Sequence, residues 1–218
     1  MEHSLNDMLF KDRVDAGRQL AQKLLKYRDD PFVVVIGLPR GGVVVAAEVA
    51  RELKAPLDIV VPRKIGAPGN PELALGALTE EGDAVFHQWL VDSFGVSEEY
   101  LNMALMKEKR EAQRRLEIYR GKKTPLHLQN KTALLVDDGI ATGATMRAAI
   151  LSCRGKGAVK IVVSAPVIAR DTLEMLEGEA DEVICVDVPE YFVSVGQFYE
   201  TFEQTSDEEV VALLRKNH

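Results

Sequence analysis

Cysteine, tryptophan and long apolar runs are scarce in this chain, and each scarcity removes a class of protein. Two cysteines in 218 residues, Cys153 and Cys185, make no disulfide framework and read as buried thiols in a reducing cytoplasm. The four histidines, His3, His87, His127 and His218, have no metal-ligand spacing, so no structural metal is expected. No apolar run reaches the roughly 18 residues that a membrane span needs. The opening MEHSLNDMLFKDR lacks the basic-then-apolar order of a signal peptide, so a cytoplasmic location is expected. A basic surplus is missing too: 27 Lys and Arg stand against 34 Asp and Glu, a net charge of −7, which argues against nucleic acid as a partner. A local basic pocket remains compatible with that balance.

What is present is an ordinary globular composition, 46% hydrophobic and 28% charged, enough for one domain of generous size. Short apolar runs at 32–36, 57–61, 132–136, 159–165 and 181–188 read as strands. Amphipathic stretches at 12–28, 43–53, 97–120, 146–156, 171–176 and 207–214 read as helices, the first capped by Asp12 and the third opened by Ser97 with Glu98 and Glu99. The basic side chains crowding 107–120 alternate with glutamates and read as a solvated face. Strands alternating with helices predict an α/β fold, a parallel twisted sheet flanked by helices on both faces, with ligands beyond the strand C-termini.

The densest signal is KTALLVDDGIATGATMRAAI at 131–150. A buried strand ends in two carboxylates, Asp137 and Asp138, then a small-residue loop leads into a helix. A helix N-terminus suits a phosphate, Gly143 admits close backbone approach, and the Thr142 and Thr145 hydroxyls add donors. The aspartates only accept, so they suit vicinal sugar hydroxyls or a magnesium-bound group instead. A phosphate at one end and a diol at the other describe a ribose 5-phosphate. The plain alternative is a strand-to-helix turn with surface aspartates. A second junction, Gly37-Leu38-Pro39-Arg40-Gly41-Gly42, is another candidate anion site, with Arg40 as a forked permanent cation; taken alone it reads better as a glycine-rich turn with a solvated arginine, and only its pairing with the 137–145 loop favours the anion site.

The segment from Val136 through Asp137, Asp138, Gly139, Ile140, Ala141, Thr142, Gly143 and Ala144 to Thr145 resembles the phosphoribosyl-pyrophosphate (PRPP) loop of the type I phosphoribosyltransferases. The resemblance implies that the acidic pair holds the ribose hydroxyls and residues 142–145 the 5-phosphate. It implies a pyrophosphate loop at Pro39, Arg40, Gly41 and Gly42, with a non-proline cis peptide between Pro39 and Arg40. It implies a flexible lid loop rooted at 62–71, where Arg63 and Lys64 face pyrophosphate; a solvated basic pair is the other reading of those two. Gly and Pro crowd 65–71 enough to predict irregular structure there, returning through a hairpin of 73–78 and 84–86 turned at Glu80-Glu81-Gly82-Asp83. The core is expected at about 30–188, the lid at 62–86, and a small hood and tail at 189–218, all in one domain.

The implied reaction transfers phosphoribosyl from PRPP to a nucleobase or similar nitrogen acceptor, with Asp137, Asp138 and Arg40 as the catalytic residues. Magnesium would come with PRPP, near Asp137 and Asp138 but held mainly by substrate and water. A non-catalytic PRPP or nucleotide sensor on the same fold is the alternative function. The aspartate that 6-oxopurine enzymes usually carry before Thr-Gly is Ala141 here, which leaves hypoxanthine and guanine without that support. Position two is Glu2, not the cysteine nucleophile of glutamine amidotransferases. The tail PEYFVSVGQFYETFEQ is the richest aromatic stretch; Tyr191 and Phe192 are candidates for stacking an acceptor base, with a small internal core or a dimer contact as an at least equal alternative. A homodimer is the expected assembly.

Overall fold

The computed structural model describes residues 8–78, 84–86, 88–121 and 127–216. Its elements begin with α1 (Arg13–Lys23), β1 (Val33–Gly37), α2 (Gly41–Leu53), β2 (Leu57–Ile59), β3 (Arg63–Ala67) and β4 (Asn70–Leu78). They continue with β5 (Ala84–Phe86), α3 (Gln88–Ser93), α4 (Glu98–Arg120), β6 (Thr132–Val136) and α5 (Ala144–Gly155). Then come β7 (Lys160–Val167), α6 (Arg170–Glu177), β8 (Glu182–Asp187) and α7 (Asp207–Lys216).

Five strands form a parallel sheet in the order β2-β1-β6-β7-β8. Because side chains alternate along a strand, β1 sends Val33 and Val35 to one face and Val34 and Ile36 to the other. The first pair joins Leu20, Leu24, Val45, Val49, Leu53 and Val210 from α1, α2 and α7. The second joins Met146, Ala149, Ile150 and Leu176 from α5 and α6. All these strand positions are buried, as near-continuous apolar runs in a doubly covered parallel sheet must be. In α2 the run Val43-Val44-Val45 is a poor helix former, yet Val43 and Val45 are fully buried; packing overrides propensity.

The α/β fold with helices on both faces therefore matches the expectation. The first helix is shorter than expected, ending at Lys23 before a 3-10 turn at Leu25–Tyr27. Its Asp12 cap accepts from the Asp15 amide at 2.8 Å. The larger correction concerns 65–71. This stretch is no irregular loop: β3 and β4 pair antiparallel around Pro68 and Gly69, and β4 pairs with β5 in a second, three-stranded sheet. Register shifts on either side of Gly66 absorb the Gly and Pro that signalled irregularity. The hairpin is rooted by its own small core, with Ala67 and Leu75 against Val91, Phe86, Leu90 and Tyr100. The expected turn at 80–83 lies outside the described residues.

Candidate active site

The two junctions fall at the C-terminal ends of β1 and β6, adjacent strands whose ladder runs from Val33 opposite Thr132 to Gly37 opposite Val136. Beyond the strands the Leu38 amide still donates to the Val136 carbonyl at 2.9 Å, so both chains leave the sheet side by side. The Pro39–Arg40 peptide is cis, as the resemblance implied.

Helix α2 starts two residues earlier than the sequence pattern indicates, which puts Gly41 and Gly42 in its first turn. The reason is contact. A Cβ on Gly42 would stand 2.6 Å from Asp137 Oδ1 and 2.8 Å from the Asp137 Cα, and one on Gly41 would strike Asp138 Oδ2. Only a side-chain-free helix start fits against the acidic pair. What the packing demands of these two glycines is room for two carboxylates.

Asp137 Oδ1 accepts from the Asp138 amide at 2.9 Å. Burial pushes the Asp137 carboxyl well above the usual carboxylate range, the charge of Asp138 adds to that, and Arg13 works against it. Asp138 Oδ2 accepts from Arg13 Nε at 2.7 Å, and its carbonyl accepts from the Tyr199 hydroxyl at 2.5 Å. Burial, then the nearby Asp138 charge, raises the Tyr199 pKa, which keeps this hydroxyl a donor.

The 139–145 loop is braced from behind. The Ile140 amide donates to Val167 and its carbonyl accepts from Ala169, while Thr172 Oγ1 donates to the Ala141 carbonyl at 2.5 Å. Gly143 caps α5 at φ 72°, where a side chain would be strained and would also meet Met175 Cε at 2.7 Å. No side chain caps that helix, so its first amides face outward, with Thr142 and Thr145 exposed. Ala144 and Thr145 belong to the helix itself, which begins two residues before the expected start.

A cleft of about 630 Å³ opens beside these loops, reaching Pro39 and Thr145 on one wall. Its opposite wall comes from the hairpin and α4: Arg63, Lys64, Lys107 and Arg115 supply cations, and Glu108 is the one carboxylate. Arg63 bonds Glu108 (Nη2 at 2.6 Å), and Arg115 bonds Glu111 at 2.8 Å. Arg40 turns toward the tail, its Nη1 lying 3.9 Å from Asp207, whose Oδ1 accepts from the Tyr119 hydroxyl at 2.6 Å.

A phosphoribosyl transferase domain model matches residues 6–201. The chain belongs to the phosphoribosyl transferase family. It is 47% identical over 210 residues to a candidate phosphoribosyl transferase of Mycobacterium tuberculosis, found alike in strains CDC 1551 and H37Rv. That match takes in 96% of this chain and 47% of the relative, so the chain spans about half the length of the curated relatives it matches. Among solved structures, protein TT1426 of Thermus thermophilus is 41% identical, with a TM-score of 0.84 over 96% of this chain and 99% of that one.

On this phosphoribosyl transferase fold, Asp137, Asp138, Gly41 and Gly42 come together directly, and Pro39, Thr145, Arg63 and Lys64 share one cleft. The aromatic tail sorts differently. Phe198 and Tyr199 join Phe10 and Ala16 in a buried cluster, and Phe192 packs on Phe198 at 5.2 Å. Tyr191 is 67% exposed. The internal-core alternative accounts for Phe192; for Tyr191 neither a core nor a stacking partner is present among the described residues. Sequence reading missed Arg13, the Tyr199 hydroxyl, and Lys107 and Arg115. The last two looked like a solvated helix face, and only the fold of the hairpin over α4 makes them a wall.

Among the described residues no helix is long and apolar enough to cross a membrane. Nor does any group of three or more His, Cys, Asp or Glu among them converge on a metal position.

Proposed function

We propose that the protein binds PRPP across the two junctions and transfers its phosphoribosyl group to a nitrogen acceptor, releasing pyrophosphate. One observation carries the reading: the glycine start of α2 lies against the acidic pair, so a single small ligand can reach both. Asp137 and Asp138 then hold the ribose hydroxyls, and residues 142–145 hold the 5-phosphate through outward amides and the Thr142 and Thr145 hydroxyls. Pro39, Arg40, Gly41 and Gly42, with Arg63 and Lys64 across the cleft, receive pyrophosphate. The acceptor's lone pair forms the C1–N bond while the C1–O bond breaks and its electrons leave with pyrophosphate; the acceptor's proton goes to solvent. The chain's part is to fix the sugar and to meet the departing negative charge with fixed cations and amides.

Magnesium fits only as a companion of the substrate. Asp138 Oδ2 is already committed to Arg13 and no protein cage is at hand among the described residues, so phosphate oxygens and water would supply most ligands, with Asp137 and Asp138 nearby. When bound it would neutralise part of the pyrophosphate charge. Exposed Met103 and Met106 on α4 and Trp89 on α3 are compatible with a homodimer, which sedimentation equilibrium tests directly.

The test is calorimetry with PRPP and magnesium, then a panel of nucleobases and other nitrogen acceptors watched for pyrophosphate release. Binding followed by release on at least one acceptor is expected. Binding without release on any of them would instead fit a PRPP sensor, and no binding would remove the reading.

A further inference from the structure

Arg13 lies 125 residues from Asp138 in sequence, yet it is the basic side chain bonded to the acidic pair. The two side chains are 12% and 15% exposed, so their 2.7 Å contact is screened little by water. Three further contacts fix the guanidinium. Nη1 donates to the Glu203 carbonyl at 2.6 Å, the Phe202 ring lies 3.9 Å from its centre, and the bare Cα of Gly41 leaves the space that Nε occupies. A surface staple between chain ends would need none of this convergence on a carboxylate.

We propose that Arg13 is a positioning residue for the sugar site: it fixes the Asp138 side chain with Oδ2 engaged, so that Oδ1 is presented to a ribose hydroxyl. This rests on the PRPP reading above. The chemistry is specific. Two adjacent carboxylates repel, and a forked cation on the outer oxygen of one offsets that repulsion while fixing its rotamer. Apart from the neighbouring Asp137 carboxyl, Arg13 is the side chain bonded to the Asp138 carboxylate among the described residues. The groups facing the pair are few: Arg13 from α1 and Tyr199 from the tail, with α2 contributing only Gly41 and Gly42. Arg13 therefore acts through Asp138 rather than on the substrate.

The experiment measures ribose 5-phosphate and inorganic pyrophosphate binding separately by calorimetry, for the wild type, Arg13→Met, Arg13→Lys, Asp138→Asn and the Arg13→Met/Asp138→Asn double variant. Arg13→Met should weaken ribose 5-phosphate by about tenfold or more, the scale of one lost charge-assisted bond, and change pyrophosphate by less than about twofold. Arg13→Lys keeps the charge and should recover part of the loss, which also serves should the methionine variant fold poorly. In the Asp138→Asn background, Arg13→Met should add less than about twofold, because the residue it acts through is already altered. Equal losses on both ligands, additive effects in the double variant, or wild-type affinity in both Arg13 variants would overturn the positioning role while leaving the PRPP reading standing. A wild type that binds neither ligand would take both away.

Discussion

The site has two walls built on opposite electrostatic plans. At the ends of β1 and β6 stands the part-buried acidic pair, with Arg13 as its paired cation. Across the cleft, on the hairpin and α4, Arg63, Lys64, Lys107 and Arg115 line the wall, with Arg63 paired to Glu108 and Arg115 to Glu111. A buried pair of like charges is costly unless compensated, so the acidic wall carries its counter-ion with it. On the basic wall both arginines carry carboxylate partners of their own, and the cations together focus a positive potential on the cleft. On the proposed PRPP reading, one wall would meet neutral hydroxyls and the other a multiply charged leaving group.

Changes that strip the acidic wall should have the largest effects. Asp137→Asn with Asp138→Asn should lower PRPP affinity by about 100-fold or more, the loss of two charge-assisted bonds, with the circular dichroism spectrum retained. Undiminished calorimetric affinity would count heavily against the diol role. Gly42→Ala forces a Cβ against Asp137 Oδ1 and its backbone, and should destabilise the fold by about 1–3 kcal/mol as read from the denaturant midpoint. An unchanged midpoint would mean that the loops separate easily.

The cations should respond more gently, first Arg40 at the β1 end and then Lys107 on the basic wall. Arg40→Ala should weaken inorganic pyrophosphate by about tenfold, one lost charge-assisted contact, and ribose 5-phosphate by less than about twofold. Equal losses would remove Arg40 from the pyrophosphate role. Lys107→Ala should cost a few-fold at low salt, and the difference should fade towards about 1 M salt as exposed charges are screened. A salt-independent loss would place Lys107 in closer contact than the cleft wall implies.

A third region, remote from both walls, gives the smallest effect. At the opposite end of the sheet, Glu182 accepts bonds from Lys26, Tyr27 and Lys160. Burial works against its ionisation, but those three bonds outweigh it and lower its pKa to about 2. A carboxylate held below its ordinary value of 4.5 stabilises the fold above that pH and loses the contribution as pH falls towards 2. Glu182→Gln should therefore lower the melting temperature at pH 7, and the gap to wild type should close between about pH 4.5 and 2. A constant gap would show that shape, not charge, sets the difference.

How much of this was legible in sequence depends on the range of the contact involved. The strands at 33–37, 132–136 and 160–167 and both glycine junctions were plain, because buried parallel strands and helix starts leave local patterns. So was the Ser97 start of α4, where Ser97 Oγ accepts from the Tyr100 amide at 3.2 Å. The β3–β4 hairpin was hidden, because Gly66, Pro68 and Gly69 look like loop residues until a partner strand tolerates them. Arg13 was invisible for a different reason: on its own helix it is one more charged position, and only closure of the fold brings it to Asp138. Tyr199 likewise read as one more ring of the aromatic tail, though its hydroxyl has a single defined acceptor.

The most direct test of the account is a crystal structure with PRPP and magnesium bound. The prediction is a single orientation, with ribose hydroxyls on Asp137 and Asp138, the 5-phosphate on the amides of 142–145, and pyrophosphate between residues 39–42 and the hairpin. A ligand bound with its phosphates exchanged, or lying away from the β1 and β6 ends altogether, would contradict it.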